Sequence, residues 1–132
     1  MIVRGFDIEP GADLRYADLW GANIWGANLS GANLSGVDLS YANFSGADLR
    51  HANLSHAHLR YANLRSADLS GADLTGTDFN RADLRNVKLT SDQLVWLTLT
   101  GQITPEQAAI CNVLKTLTEH LVDTDQTICY TD

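Results

Sequence analysis

Three histidines fall within one short stretch, His51, His56 and His58. Imidazoles gathered on one helical face could hold zinc, provided they converge to about 2 Å from a single ion. Eight aspartates recur between Asp13 and Asp83, and carboxylates that meet in pairs do general acid–base work. Two cysteines, Cys111 and Cys129, are far enough apart for the chain to fold back between them. A bridge is sterically feasible, whereas a cytoplasmic setting favours two thiols. No Gly-rich phosphate loop, paired-Cys metal spacing or Ser/His/Asp order in a strand–turn–helix context occurs. What these side chains can do depends on the element that carries them.

That element is a five-residue unit, repeated without a break from Ala12 to Ser91 as 16 units. Its centre is Leu, Ile or Phe at every fifth position from Leu14 to Leu89. Two residues before each centre stands Ala, except at Val37, Thr77 and Val87, and between them Asp or Asn, except at His58 and Lys88. Small, polar, large apolar, polar is a period-two alternation, so Ala and Leu share one face of an extended segment. The fifth residue breaks the alternation and is Gly in seven units, which suits a turn. A period of five fits neither 3.6 residues nor a heptad and excludes an amphipathic helix. Short extended segments joined by tight turns must coil to bury their Ala/Leu faces, with Ala where only a methyl group fits.

This pattern resembles the pentapeptide repeat family, and is similar to a short bacterial, cyanobacterial-like member. The resemblance implies an all-β solenoid, a right-handed quadrilateral β-helix with four units per coil. Ala12–Gly31, Ala32–His51, Ala52–Gly71 and Ala72–Ser91 would then be four coils, stacked at about 4.8 Å. On such a rod His51 and His56 sit at successive corners pointing apart and His58 lies on the next wall, so the histidines are expected to be solvated rather than metal-bound. The aspartates become turn and wall residues accepting backbone bonds. A rod lacks the concave, water-excluding site that catalysis needs. The expectation is a non-enzymatic protein without cofactor or metal.

Residues 20 apart stack on successive coils, and the outward columns are unequal. One wall column reads Trp20, Ser40, Arg60, Asn80; the corner beside it reads Gly21, Tyr41, Tyr61, Arg81; the next wall reads Trp25, Ser45, Arg65, Arg85. Trp20, Trp25, Tyr41, Tyr61, Arg60, Arg65, Arg81 and Arg85 therefore gather around one edge, and these are residue types enriched at interface hot spots. The edge is either a partner-binding surface or a stacked, stabilising corner with solubilising arginines. Its arginines favour an unidentified protein partner that is acidic or phosphorylated.

The ends read differently. Residues 1–11 form an N-terminal cap in which Phe6-Asp7-Ile8-Glu9-Pro10 is a degenerate unit, Phe6 and Ile8 lie across the first coil, and Gly11 is a one-residue insertion. Residues 92–132 are expected to form a C-terminal helical cap or, as the family resemblance allows, a dimerisation surface. Thr90-Ser91-Asp92-Gln93 is a capping-box pattern, Gly101 can end the helix it starts, and Thr104-Pro105-Glu106-Gln107 repeats the start signal. Ile110, Val113, Leu114, Leu117 and Leu121 would make one helical stripe.

The chain of 132 residues has 9 Lys+Arg against 16 Asp+Glu. Residues 12–91 carry a net charge of −1 (8 acids, 7 bases) and residues 92–132 carry −5 (6 acids, 1 base). This balance argues against direct nucleic-acid binding. No apolar run approaches the ~20 residues of a membrane helix, and the start lacks a secretory pattern. The expected location is cytoplasmic, or exported with a signal removed before residue 1, as monomer or homodimer. The leading class is a non-catalytic interaction protein. A DNA-mimicking inhibitor of gyrase, known within the family, is the alternative, disfavoured by a short, nearly neutral rod bearing arginines.

Overall fold

A computed structural model of the protein describes residues 1–113. Parallel bridges join residues 20 apart on four separate walls: Asp13, Asn33, Asn53 and Asp73 on one, Asp38, His58 and Asp78 on the next, Asn23, Asn43, Asn63 and Asp83 on the third, and Asn28, Asp48, Asp68 and Lys88 on the fourth. One circuit thus takes four five-residue units, and the chain winds as a square solenoid. Within a wall the centre donates to the next coil, as Leu34 N–H does to Asn53 O at 2.8 Å, and the preceding residue donates back, as Asn53 N–H does to Ala32 O at 2.8 Å.

Local chemistry makes each corner. The centre carbonyl accepts from the Ala three residues on, as Leu54 O does from Ala57 N–H at 3.0 Å. The Asp or Asn side chain accepts from the N–H two residues on, as Asn53 Oδ1 does from Ser55 at 3.0 Å and Asp73 Oδ1 from Thr75 at 3.0 Å. Such Asx turns account for the Asp/Asn preference. From Gly21 to Asn86 the corner residue itself is left-handed, which suits Gly, yet Tyr41, His51, His56, Tyr61, Ser66, Arg81 and Asn86 adopt it too, with φ between 58° and 63°.

The centres and the Ala column fill the interior, Leu54, Leu59 and Leu64 being wholly buried. Val37 and Val87 are buried as well, so the Ala slot admits a β-branched side chain at two places. Thr77 occupies a third, its buried hydroxyl donating to Leu54 O at 2.8 Å.

The N-terminal end departs from expectation. Strands β1 (Ile2–Val3) and β2 (Phe6–Asp7) pair antiparallel as a hairpin, turned by Arg4 and Gly5 at φ 52° and 84°. Both turn residues being left-handed is what a type I′ two-residue hairpin requires. Ile8 is buried and Phe6 and Val3 pack against the core. Gly11 is not an insertion: it is a corner at φ 73°. Its N–H reaches Ser30 O at 2.9 Å, as Gly31 N–H reaches Arg50 O at 2.9 Å.

After β3 (Lys88–Leu89) the chain forms α1 (Ser91–Leu99) and α2 (Pro105–Ala109). Each begins with a complete capping box, Thr90 with Gln93 and Thr104 with Gln107. Gly101, at φ 74°, follows the end of α1. Leu94, Leu97 and Ile103 are buried in the same core as the coil centres. The helical stripe from Ile110 is overturned where it is described, because α2 stops at Ala109 and Asn112–Val113 is strand β4, parallel to β3. The reason is the open ladder at β3: Lys88 pairs with Asn112 and Leu89 with Val113, while Asn86 N–H donates to Ile110 O at 2.9 Å. Leu114, Leu117 and Leu121 lie outside the described residues, as does Cys129. Cys111 is buried, with Sγ 3.2 Å from Gln107 O.

Candidate functional site: the aromatic edge

The corner column rises through Gly21, Tyr41, Tyr61 and Arg81, one coil apart, as the bonds from Gly21 N–H to Ser40 O (2.8 Å), Tyr41 N–H to Arg60 O (3.0 Å) and Tyr61 N–H to Asn80 O (3.1 Å) establish. The rings of Tyr41 and Tyr61 stack with centroids 5.0 Å apart and planes 6° from parallel. Gly21 offers no side chain beneath Tyr41, and Trp20 from the adjoining wall packs there instead, 5.3 Å away and tilted by 51°. The column arithmetic alone would have set Trp20 against Ser40, which is buried. Three rings form one continuous ridge with about half of each surface open: Trp20 52%, Tyr41 54% and Tyr61 46% exposed. Trp25, on the next wall, is exposed and stands apart from the stack.

The four arginines of the edge are not equivalent. Arg85 forks onto Asp83, with Nε to Oδ1 at 2.9 Å and Nη2 to Oδ2 at 2.6 Å. The Asp83 carboxyl is held below its ordinary range, first by that side-chain bond, against the opposing effect of burial, and further by the backbone bond and the charge of Arg85 and by the charge of Arg65. Arg65 follows Asn63 instead; its backbone N–H bonds Asn63 Oδ1 at 3.0 Å, and its guanidinium forms no ion pair among the described residues. Arg60 follows His58 and only approaches Asp78, Nε to Oδ2 at 3.9 Å. Arg81 is an exposed corner residue at φ 62°, also without an ion pair among the described residues. A fifth arginine, unforeseen from the repeat, joins the lower end: Arg4 Nη1 donates to Trp20 O at 2.7 Å and lies 3.6 Å from Asp18. Its signal was the Arg-Gly pair, a two-residue turn between short apolar segments.

The other chemical candidates are dispersed. The rings of His51 and His56 lie over Gly71 and Gly76, one coil up, while His58 is laddered between Asp38 and Asp78. Among the described residues no group of three His, Cys, Asp or Glu is placed to hold a metal ion, and no helix is long and apolar enough to cross a membrane. An open groove of about 280 Å³ runs between α1 and the last coil, lined by Ala72, Asp73, Leu74, Thr75, Asp92, Gln93 and Trp96. Asp73 in that groove is engaged by the Thr75 hydroxyl at 2.7 Å.

The family model for pentapeptide repeats matches residues 12–50 and 52–90, as 8 copies. No curated protein matches the chain. Among solved structures, the chain is similar to HetL, a pentapeptide repeat protein involved in heterocyst differentiation regulation in the cyanobacterium Nostoc sp. strain PCC 7120. That likeness has 45% identity and a TM-score of 0.56, covering 58% of this chain and 36% of HetL. The chain thus spans little more than a third of HetL's length. A pentapeptide repeat protein of the Arabidopsis thaliana thylakoid lumen is 32% identical with a TM-score of 0.49, over 71% of this chain and 75% of that one. A second Nostoc PCC 7120 pentapeptide repeat protein is 35% identical with a TM-score of 0.34, over 61% and 70% of the two chains. With the repeat matched over more than half its length, the chain belongs to the pentapeptide repeat family, whose fold is the right-handed quadrilateral β-helix and whose members are generally structural rather than catalytic.

Proposed function

We propose that the chain is a non-catalytic interaction protein. Ala12–Ser91 form four coils closed by the residues on either side, and the Trp20–Tyr41–Tyr61 ridge with its flanking arginines meets a protein partner. The observation that carries this is the ridge itself: three rings half open to solvent yet fixed along one solenoid edge, Tyr41 and Tyr61 at the corner and Trp20 from the adjoining wall. Such side chains bury much surface on docking and lose little rotamer freedom. The likeness to HetL, a protein named for its part in regulation, is in keeping with a binding role.

Gyrase inhibition by duplex mimicry is the second reading, and the arginine-bearing wall gives it little support. A gyrase supercoiling assay with the purified protein tests it directly.

The main reading is tested by site-specific photo-crosslinking in a lysate of the source cells. The crosslinker replaces Trp25 on the edge or Ser35 on the far wall. The expected result is a defined adduct from position 25 that Tyr61→Ala weakens. Adducts formed only from position 35 would overturn the edge assignment.

A further inference from the structure

We infer that the edge takes an acidic segment of its partner, held by Arg60, Arg65 and Arg81 and not by Arg85. The inference rests on the edge reading above and adds the chemistry that recognises the partner. Ring stacking supplies little of it, because Tyr41 and Tyr61 spend their facing surfaces on each other. What the ridge leaves open are ring edges and the cations beside them.

Those cations are sorted by the residue two positions earlier. Where it is Asp, the guanidinium already gives one fork, two of its five N–H donors, to that carboxylate. Arg15 forks onto Asp13 at 2.9 and 2.7 Å, Arg50 onto Asp48 at 2.9 and 2.7 Å, and Arg85 onto Asp83 at 2.9 and 2.6 Å. Where it is Asn63, the side chain still makes the turn but has no second carboxylate oxygen to offer, and Arg65 is left without a fork, with only the charge of Asp83 one coil up acting on it. His58 leaves Arg60 with only its distant approach to Asp78. Arg81, at a corner, has no such neighbour within its own turn. Of the six arginines on the solenoid, the three without a fork are the three grouped around Tyr61: Arg60 adjoins it in sequence, Arg81 is stacked one coil above, and Arg65 is on the next wall.

The intramolecular forks also identify the ligand. Three times over, this wall geometry presents guanidinium to carboxylate in the planar, two-bond arrangement that the pair prefers. An outside Glu or Asp finds the same donors at Arg65. A nucleic-acid backbone is the poorer fit. Three cations within two coils make a short patch, and the whole chain carries a formal charge of −7, which repels an extended polyanion.

The test uses the full chain and an end-capped octaglutamate peptide at low salt, followed by the arginine side-chain N–H signals in NMR. Octaglutamate should shift Arg60, Arg65 and Arg81, leave Arg15 and Arg50 in place, and lose affinity as salt is added. Asn63→Asp should close the Arg65 fork while keeping the turn. Asn43→Asp, on the same wall one coil below, adds the same charge next to Ser45 and closes no fork. N63D should weaken binding about threefold more than N43D, and D83N, which releases Arg85 and removes the carboxylate acting on Arg65, should strengthen it about threefold, the scale of one exposed charge pair. Equal effects of N63D and N43D, or no gain from D83N, would overturn the inference. So would tighter binding of a short DNA duplex or a phosphoserine peptide through the same arginines. If position 25 still yields its adduct while these peptide results fail, the edge stands and only the acidic partner is lost. Adducts confined to position 35 would remove the edge reading itself.

Discussion

Gln93 donates its side-chain amide to the carbonyl of Ala72 at 3.1 Å. In the coils below, that carbonyl's counterparts accept from the backbone N–H 21 residues on, Ala32 O from Asn53 and Ala52 O from Asp73. Continuing the series, Ala72 O would accept from the backbone of residue 93. The chain has by then become helix, and the side chain of the same residue makes the bond in its place. Gln102 does likewise for Leu74 and Thr77, at 2.7 and 3.1 Å, and Gln107 for Phe79 and Ala82, at 2.9 and 3.4 Å. On the remaining wall β4 supplies the next strand.

Gln93→Glu should therefore destabilise the protein, although Glu is an ordinary capping-box residue. Its oxygen could still accept from Thr90 N–H, as Gln93 Oε1 does at 2.8 Å. A carboxylate cannot donate to Leu69 O and Ala72 O, and would set a negative charge against both. The expected loss is about 1–3 kcal/mol, read from urea unfolding. A Q93E midpoint equal to wild type would show that these carbonyls need no protein donor.

Gly71→Ala should be costly, chiefly through its backbone, with the exposed His51 ring having to move aside. A Cβ at Gly71 would come within 2.6 Å of His51 Nδ1, at a backbone φ of +75°. The left-handed backbone alone costs about 1–2 kcal/mol. The double variant H51A/G71A should recover the part due to the clash and leave the backbone part. A thermal-melt cycle in which the two substitutions simply add would refute the contact.

Ser66→Gly should stabilise. Ser66 is exposed at φ 59°, above Gly46 in its column and with no side-chain bond among the described residues. Relief of left-handed strain outweighs the added freedom of the unfolded chain by about 1 kcal/mol at most. Denaturant midpoints of S66G and wild type check it, and a lower midpoint for S66G would contradict it.

Stability should fall in acid, partly through Asp73. Its carboxyl is held below the ordinary value, first by the Thr75 hydroxyl and then by the Thr75 backbone N–H. A depressed folded pKa means that this stabilisation is fully present above the unfolded value and is lost as pH drops through the folded one. Asp73→Asn adopts the turn that Asn53 makes one coil below, where Ser55 Oγ donates to Asn53 Oδ1 at 2.7 Å, and it cannot titrate. The Tm of D73N relative to wild type should therefore rise as pH is taken from 7 to 2. A constant difference would mean that Asp73 does not contribute to the acid response.

Taken alone, the sequence determined the solenoid, because each unit carries its own instructions. Asp or Asn makes the turn, Ala and Leu share the inner face, and the fifth residue turns the corner; these interactions reach no further than the next few residues. The two capping boxes were legible for the same reason. So, in retrospect, was the difference between Arg85 and Arg65, since Asp83 or Asn63 two residues earlier decides it. What only the tertiary structure decided involves partners one coil or more away. Trp20 crossing to Tyr41 depends on the empty place at Gly21. The glutamines reach carbonyls 21 to 28 residues back, and β4 replaces the expected helix because the ladder at Lys88–Leu89 was still open. An unpaired backbone edge is a strong demand on whatever chain lies nearby, and no local periodicity records which segment will meet it.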